Sequence, residues 1–246
     1  MTFIPNYKFC LAVSRGLVPG HGWVNKFGAN DLIADGATET IWDGSTTYTW
    51  PTSASITHVR SAVDSVITRS VSMEVQGLDT NWDLVVQDVT TDAADSTTEV
   101  ALGTALRRIF RVKIEDDTAM DQAIWVGPTG FATQQAIVQA GNNQTLMAIY
   151  TVPNGKTAYM SSYYGDAVKV TNKTPNSVDF RLWVADIPNS ITFQLKHSRA
   201  TAAGGFQHYF DPPLKITEKQ DIKMTATPEG DDTSVHSGFN LTLVDN

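Results

Sequence analysis

The chain is poor in the residues that carry covalent and metal chemistry. It has one cysteine, Cys10, among 246 residues. One thiol closes no internal disulfide and builds no cysteine-based metal site. A β protein without disulfides relies on a large core, on oligomerisation or on bound ions. That suits a chain made and assembled in a reducing cytoplasm. Long apolar runs are also missing: no stretch approaches the roughly 18 consecutive apolar residues of a membrane-crossing helix. Met1 to Val13 holds some apolar residues, but Lys8 interrupts them and Pro5 and Asn6 break them. The expectation is no signal peptide and no membrane partner. Charge is scarce, at 18% of residues against the usual quarter or so. Thr, Ser, Asn and Gln fill the gap, which suits a strand-rich, polar-neutral surface. Basic residues are the scarcer sign, 18 against 26 acidic, for a net charge of −8. Affinity for phosphates comes from Lys and Arg releasing counterions, so nucleic acid is not expected as a partner. The one dense basic run, Arg107 to Lys113, has period-2 character and reads as a strand with one cationic face.

Signatures of catalysis are missing as well. The five histidines (His21, His58, His197, His208 and His236) show no metal-ligand spacing. No Gly-x-Ser-x-Gly marks a nucleophile elbow, and no glycine-rich loop is built to cradle phosphate. Cys10 lacks the setting that activates a thiol. Acidic clusters occur at Glu115-Asp116-Asp117, at Asp92 with Asp95, and at Glu229 with Asp231-Asp232. They read as solvated loop charge, since none follows a twelve-residue calcium loop. The expectation is therefore a chain that is not an enzyme, with no catalytic residues, no cofactor and no metal site.

What the chain does have is alternation. Val71 to Leu78 alternates cleanly, Asp79-Thr80-Asn81 turns, and Trp82 to Val89 resumes, predicting a hairpin. Asp121 to Val126 and Phe131 to Val138 flank the turn signal Gly127-Pro128-Thr129-Gly130. Ser177 to Ala185 and Ile191 to His197 alternate around Ile187-Pro188-Asn189-Ser190. Leu146 to Val152, Pro153-Asn154-Gly155 and Lys156 to Met160 read as strand, tight turn, strand, again a hairpin. Further strands are predicted at 206–210, 214–217, 221–226 and 239–244. The best helix candidates are short, Ala101 to Arg108 and Thr133 to Gln139. Trp82 and Trp183 sit in strand patterns and read as core residues.

Residues 1–36 differ from the rest. Gly16, Gly20, Gly22, Gly28 and Gly36 recur with Pro5 and Pro19, while Phe3, Phe9, Trp23 and Phe27 argue against a disordered tail. An arm lying on another surface and an irregular cap on the chain's own core both fit. The fold class is all-β: β-sandwich or jelly-roll modules, two in tandem, with an irregular N-terminal arm. The division is 1–36 (arm), 37–140 (first β-sandwich) and 141–246 (second, jelly-roll-like sandwich), with Gly141-Asn142-Asn143 as the joint. One intertwined sandwich of about 200 residues is the competing arrangement.

Several pieces resemble a known group. These are Val24 to Gly28, Ile41-Trp42-Asp43-Gly44, Val75 to Asp83, Ala140 through Met160 with its Tyr-Thr-Val-Pro-Asn-Gly-Lys-Thr core, and the tail Gly238 to Asn246. Together they look like the abundant β-rich structural proteins of marine tailed phages. The resemblance implies sandwich modules, self-association (often trimeric), and a place on the virion after assembly in the host cytoplasm. Its commonest implication is capsid decoration or cementing, with the major capsid protein as partner. Tail and receptor-binding fibre modules that bind host glycans share such sandwiches and stand as the alternative. The group supplies no active-site residues to carry over. On this reading Trp23, Lys26 and Phe27 are the candidate capsid contacts. Tyr163 and Tyr164, the most loop-like aromatic pair, are the candidate glycan contacts, because exposed rings stack on sugars.

Overall fold

The computed structural model describes residues 9–62, 69–116, 120–170, 172, 175–202 and 204–246. Residues 1–8 of the predicted arm, most of the stretch read for a signal peptide, and Asp117 of one acidic cluster lie outside the described residues.

A short helix, α1 (Phe9–Ser14), leads into β1 (His21–Ile33) and β2 (Glu39–Thr40). There follow β3 (Ile56–Ser61), β4 (Ser72–Leu78), β5 (Leu84–Thr90), β6 (Val100–Leu106), β7 (Arg108–Ile114), β8 (Ile124–Gly127) and β9 (Ala136–Val138). Then come β10 (Ile149–Thr151), β11 (Lys156–Lys169), β12 (Ser177–Asp186), β13 (Ile191–Thr201), β14 (Gly204–Ile216), β15 (Gln220–Glu229) and β16 (Thr233–Asp245). The chain is all-β and its ladders are antiparallel, as the alternation predicts.

The described strands build four sheets. One has the order β6-β3-β8-β9 and another β5-β4-β7. Their inner faces share a core that includes Ile56, Val59, Met73, Val75, Ile109, Val112, Ile124 and Val126. The other two sheets have the orders β1-β16-β11-β14 and β10-β15-β12-β13, with β2 added beside β15. Their core includes Met160, Tyr163, Phe180, Leu182, Met224, Phe239 and Leu241. Burial of such faces, at about 25 cal/mol per Å² of apolar surface, is the main force holding each pair of sheets together. The cores interlock, because Leu78, Trp82 and Phe110 of the first pair pack into the second core. A buried ion pair joins them. Arg108 Nε and Nη2 on β7 donate to the two carboxylate oxygens of Asp221 on β15, each at 2.8 Å.

Four expectations are corrected. The N-terminal stretch is not irregular throughout: β1 runs thirteen residues along β16, from His21↔Val244 to Ile33↔Thr233. Gly28 is there for close approach. A Cβ at that position would collide with Ile41 O and Ala148 N of the neighbouring backbone. Secondly, the 146–160 stretch is not a hairpin. Ile149 to Thr151 pairs with β15, whereas Lys156 onward pairs with β16 and β14 in the opposite sheet. Pro153 to Gly155 therefore crosses between sheets, its amides satisfied by Trp82 O and the Glu218 carboxylate. Thirdly, neither helix candidate forms. Ala101 to Leu106 lies in β6, paired with β3, and Ala136 to Val138 pairs with β8. Cross-strand packing overrides local preference at both places. Lastly, Trp183 is half-buried outside the core, its indole N–H donating to Thr225 Oγ1 at 2.9 Å. Trp82, by contrast, is buried as predicted.

Candidate functional site

β1 is the edge strand of its sheet, and this places the first set of predicted residues. Alternation puts Trp23, Asn25 and Phe27 on one face and Lys26 on the other, where it lies opposite core residue Phe239. Trp23, Lys26 and Phe27 line one cavity of about 420 Å³. The far wall comes from the other pair of sheets, with Gln76 on β4, Arg111 on β7, and Gln144 ahead of β10. The structure thus brings the three predicted contacts together, though not as a surface patch. Phe27 is 38% exposed and Trp23 half-buried, but Lys26 is only 7% exposed. Lys26 is corrected from a direct surface contact to a buried amine.

The Lys26 amine donates to the Phe110 carbonyl and stands 5.9 Å from the Phe110 ring centroid. Burial, with the nearby Arg111 charge adding to it, pushes its pKa down to about 7. Among the described residues neither Lys26 nor Arg111 has a carboxylate within ion-pair distance. Glu74, which lies diagonally across the β4–β7 ladder from Arg111, instead accepts from Gln76 Nε2 at 2.6 Å. Arg111 was not singled out from sequence. Its only signal was membership of the basic run, of which Arg108 proves to be a core ion-pair residue.

The predicted tyrosine pair is separated by the pleat. Tyr163 is fully buried, and its hydroxyl lies 2.6 Å from His197 Nδ1. Its ring packs edge-on against Phe206 at 5.5 Å, and burial pushes its pKa up to about 12. It has no free face for a sugar and is withdrawn as a glycan contact. Tyr164 points to the opposite face and is half-exposed. It borders an open concavity of about 450 Å³ with Asp166, Gln207, His236 and Asn240. A Cβ at Gly238 would strike the Tyr164 hydroxyl and Lys26 O, so the bare backbone there lets the ring lie flat along the sheet.

A third feature had no sequence signal. β13 and β14 are the last strands of the two facing sheets, on the same flank. Along the inner side of this flank Phe193, His197, Phe206, His208 and Phe210 are only half-buried. Leu195 and Tyr209 stand in the open, at 46% and 67% exposure. His197 and His208 stack at 4.0 Å across the seam between the two strands. Desolvation, then His208 and Arg199, lowers the His197 pKa.

The remaining candidates carry local structure. Asp92 accepts from the Ala94 and Asp95 amides, and these bonds lower its pKa. Cys10 is exposed on α1. Among the described residues no three His, Cys, Asp or Glu side chains gather as a metal site would require.

No protein-family model and no curated protein matches the chain. Several solved structures show slight likeness, three of them as follows. E. coli ycfD aligns at 10% identity and a TM-score of 0.17, covering 71% of this chain; the chain spans only 42% of that protein's length. A putative secreted protein from Parabacteroides distasonis aligns at 11% identity and a TM-score of 0.20, covering 93% of this chain and 90% of its own. The structure of infectious bursal disease virus, Gt strain, aligns at 12% identity and a TM-score of 0.22, covering 92% and 71%. Likeness at these TM-scores carries no argument.

Proposed function

We propose that the chain is a non-enzymatic structural protein of a tailed-phage virion that decorates or cements the capsid as a homo-oligomer, with a trimer the form expected. Two things support this reading: the sequence resemblance, and the open β13–β14 flank. The flank is the observation that carries it. A protein built to work alone covers or blunts its long edges. This chain ends two facing sheets in strands of eleven and thirteen residues on one side, with half-buried aromatics between them. A second copy of the chain seated there buries Leu195 and Tyr209 and completes the seam. The β1 edge, with Trp23 and Phe27 at its cavity, is the surface proposed to face the major capsid protein. Binding only to the assembled shell stabilises the particle by mass action.

The test is the solution mass of the purified chain by light scattering. A stable multiple of 26.8 kDa is expected, three chains for a trimer. A monomer at all concentrations would contradict self-association.

One observation favours a second reading, a tail or receptor-binding module that binds host glycans. Tyr164 presents a ring beside Asp166, Gln207, His236 and Asn240, the mixture of stacking face and hydrogen-bonding groups that sugars require. A glycan screen decides it: binding that Tyr164→Ala abolishes supports this reading, and no binding removes it.

A further inference from the structure

Among the described residues, the cavity between β1 and the β5-β4-β7 sheet holds the basic side chains of Lys26 and Arg111 and no acid to pair with them. The Lys26 ammonium has three N–H donors, and Phe110 O is the partner seen for one of them. Arg111 lies close enough to disfavour the charge on Lys26. Keeping two like charges together in a partly dry space is costly unless an anion joins them. The protein as a whole is acidic, at −8, so this is a local departure from its overall charge. The cavity volume of about 420 Å³ falls in the range of small-molecule sites, and its place between two packed units is a common one for such sites. Its walls are of two kinds. Gln144 and Gln76, the latter already donating to Glu74, form the polar part of the wall, while Trp23, Phe27 and Leu84 form an apolar rim.

We propose that this cavity binds a carboxylate: Lys26 and Arg111 pair with the acid group, and Trp23, Phe27 and Leu84 hold an apolar body attached to it. The Arg111 fork suits the two carboxylate oxygens, and a charge-assisted bond from Lys26 adds to it. Lys26 makes the site proton-linked. Its pKa of about 7 leaves the amine mostly neutral at pH 8, and an arriving anion restores the charged form. Of the other ionisable groups nearby, Tyr150 on β10 lines the same cavity and burial raises its pKa, Glu74 on β4 accepts from Gln76, and Lys113 on β7 pairs with Glu115 at 3.4 Å. The carboxylate belongs either to a free organic acid or to an acidic side chain of a polypeptide. The inference stands whether or not the chain sits on a virion.

The experiment is calorimetric titration of the full chain at pH 8, in two buffers of different ionisation enthalpy. The probes are benzoate for a free acid and acetyl-Glu-Phe-amide for a polypeptide acid. Benzamide and acetyl-Gln-Phe-amide are the neutral controls. At least one acid is expected to bind about tenfold or more tighter than its amide, with uptake of approaching one proton; which acid binds identifies the source. Lys26→Met keeps the buried stem and removes the charge, so it is expected to fold and to lose both the binding advantage and the proton uptake. Arg111→Gln, at a half-exposed position, is expected to lose the binding advantage while leaving the fold untouched. Acids that bind no better than their amides would overturn the proposal. So would a Lys26→Met protein that binds as tightly as the unaltered chain.

Discussion

Arg108 and Asp221 bury full charges where little water reaches, with side chains 3% and 0% exposed. The cost of desolvation is offset by geometry. The guanidinium pairs with both carboxylate oxygens, Nη1 donates to Pro51 O at 2.6 Å, and Thr151 Oγ1 donates to Asp221 at 2.5 Å. The rings of Trp50 and Trp82 lie 5.2 and 5.0 Å from the guanidinium carbon. Removing one partner strands the other, so Arg108→Ala is predicted to cost about 3–5 kcal/mol in denaturant unfolding. Replacing both, as Arg108→Met with Asp221→Leu, is predicted to recover most of that loss. An additive double mutant would show that the pair is not coupled. Asp43 gives a pH-dependent case. Burial raises its pKa from 3.8 to about 7, against the opposing hydrogen bond from the Leu146 amide at 2.6 Å, and nearby Asp31 adds a further push upward. The raised value means that its contribution is full below pH 3.8 and is lost as pH rises towards 7, where the unfolded chain has long been ionised. Asn mimics the protonated carboxyl. Asp43→Asn is therefore predicted to be neutral near pH 4 and to stabilise by roughly 2 kcal/mol at pH 8. Equal melting-temperature shifts at both pH values would contradict this.

At the scale of strands, alternation made the faces legible and irregularities hid the rest. β4, β5 and β12 follow their sequence pattern, and β4 and β5 pair as the expected hairpin, with Leu78 opposite Leu84. The tyrosines read as loop-like, but β11 runs on through them to Lys169. Ala158 and Met160 face the core, so strict alternation would bring Tyr164 inward. A register shift between Met160 and Ser162 inserts one residue and turns Tyr163 inward instead. A bulge of this kind reverses every later side chain and has no compositional mark. The Pro153–Gly155 turn was legible as a turn, but nothing in its residues says whether the flanking strands pair or part. The β13–β14 seam carries its own predictions. The lowered His197 pKa means that its stabilising contribution is held above 6.5 and lost as pH falls through the folded value, because a charge on His197 is desolvated by burial and also meets His208 and Arg199. Amide exchange in β13, corrected for intrinsic rate, is predicted to quicken below pH 6, and His197→Gln to remove that change. Leu195→Glu with Tyr209→Glu is predicted to reduce the oligomer to single chains while leaving the melting of the monomer unchanged. An unaltered mass would place the contact elsewhere.

On the scale of the whole molecule, the chain closes on itself in a way its sequence conceals. β1 comes from the first 36 residues yet lies at the edge of a sheet built from the last 100 or so, and the Arg108–Asp221 pair ties the two cores. Such long-range pairing leaves no local trace, so a segment rich in glycine and aromatics read as an arm. Trp23, Lys26 and Phe27 could be singled out from the sequence, but the cavity they line and the place of Arg111 in it needed the tertiary structure. The proposed role rests on a molecule with two unfinished surfaces, the β13–β14 flank and the β1 edge. Copy number tests it most directly: quantitative mass spectrometry of purified virions, with the major capsid protein as the internal reference. The account predicts hundreds of copies per particle, in fixed proportion to the shell. Only a handful of copies would move the protein to the tail or a vertex, and none would contradict a virion role.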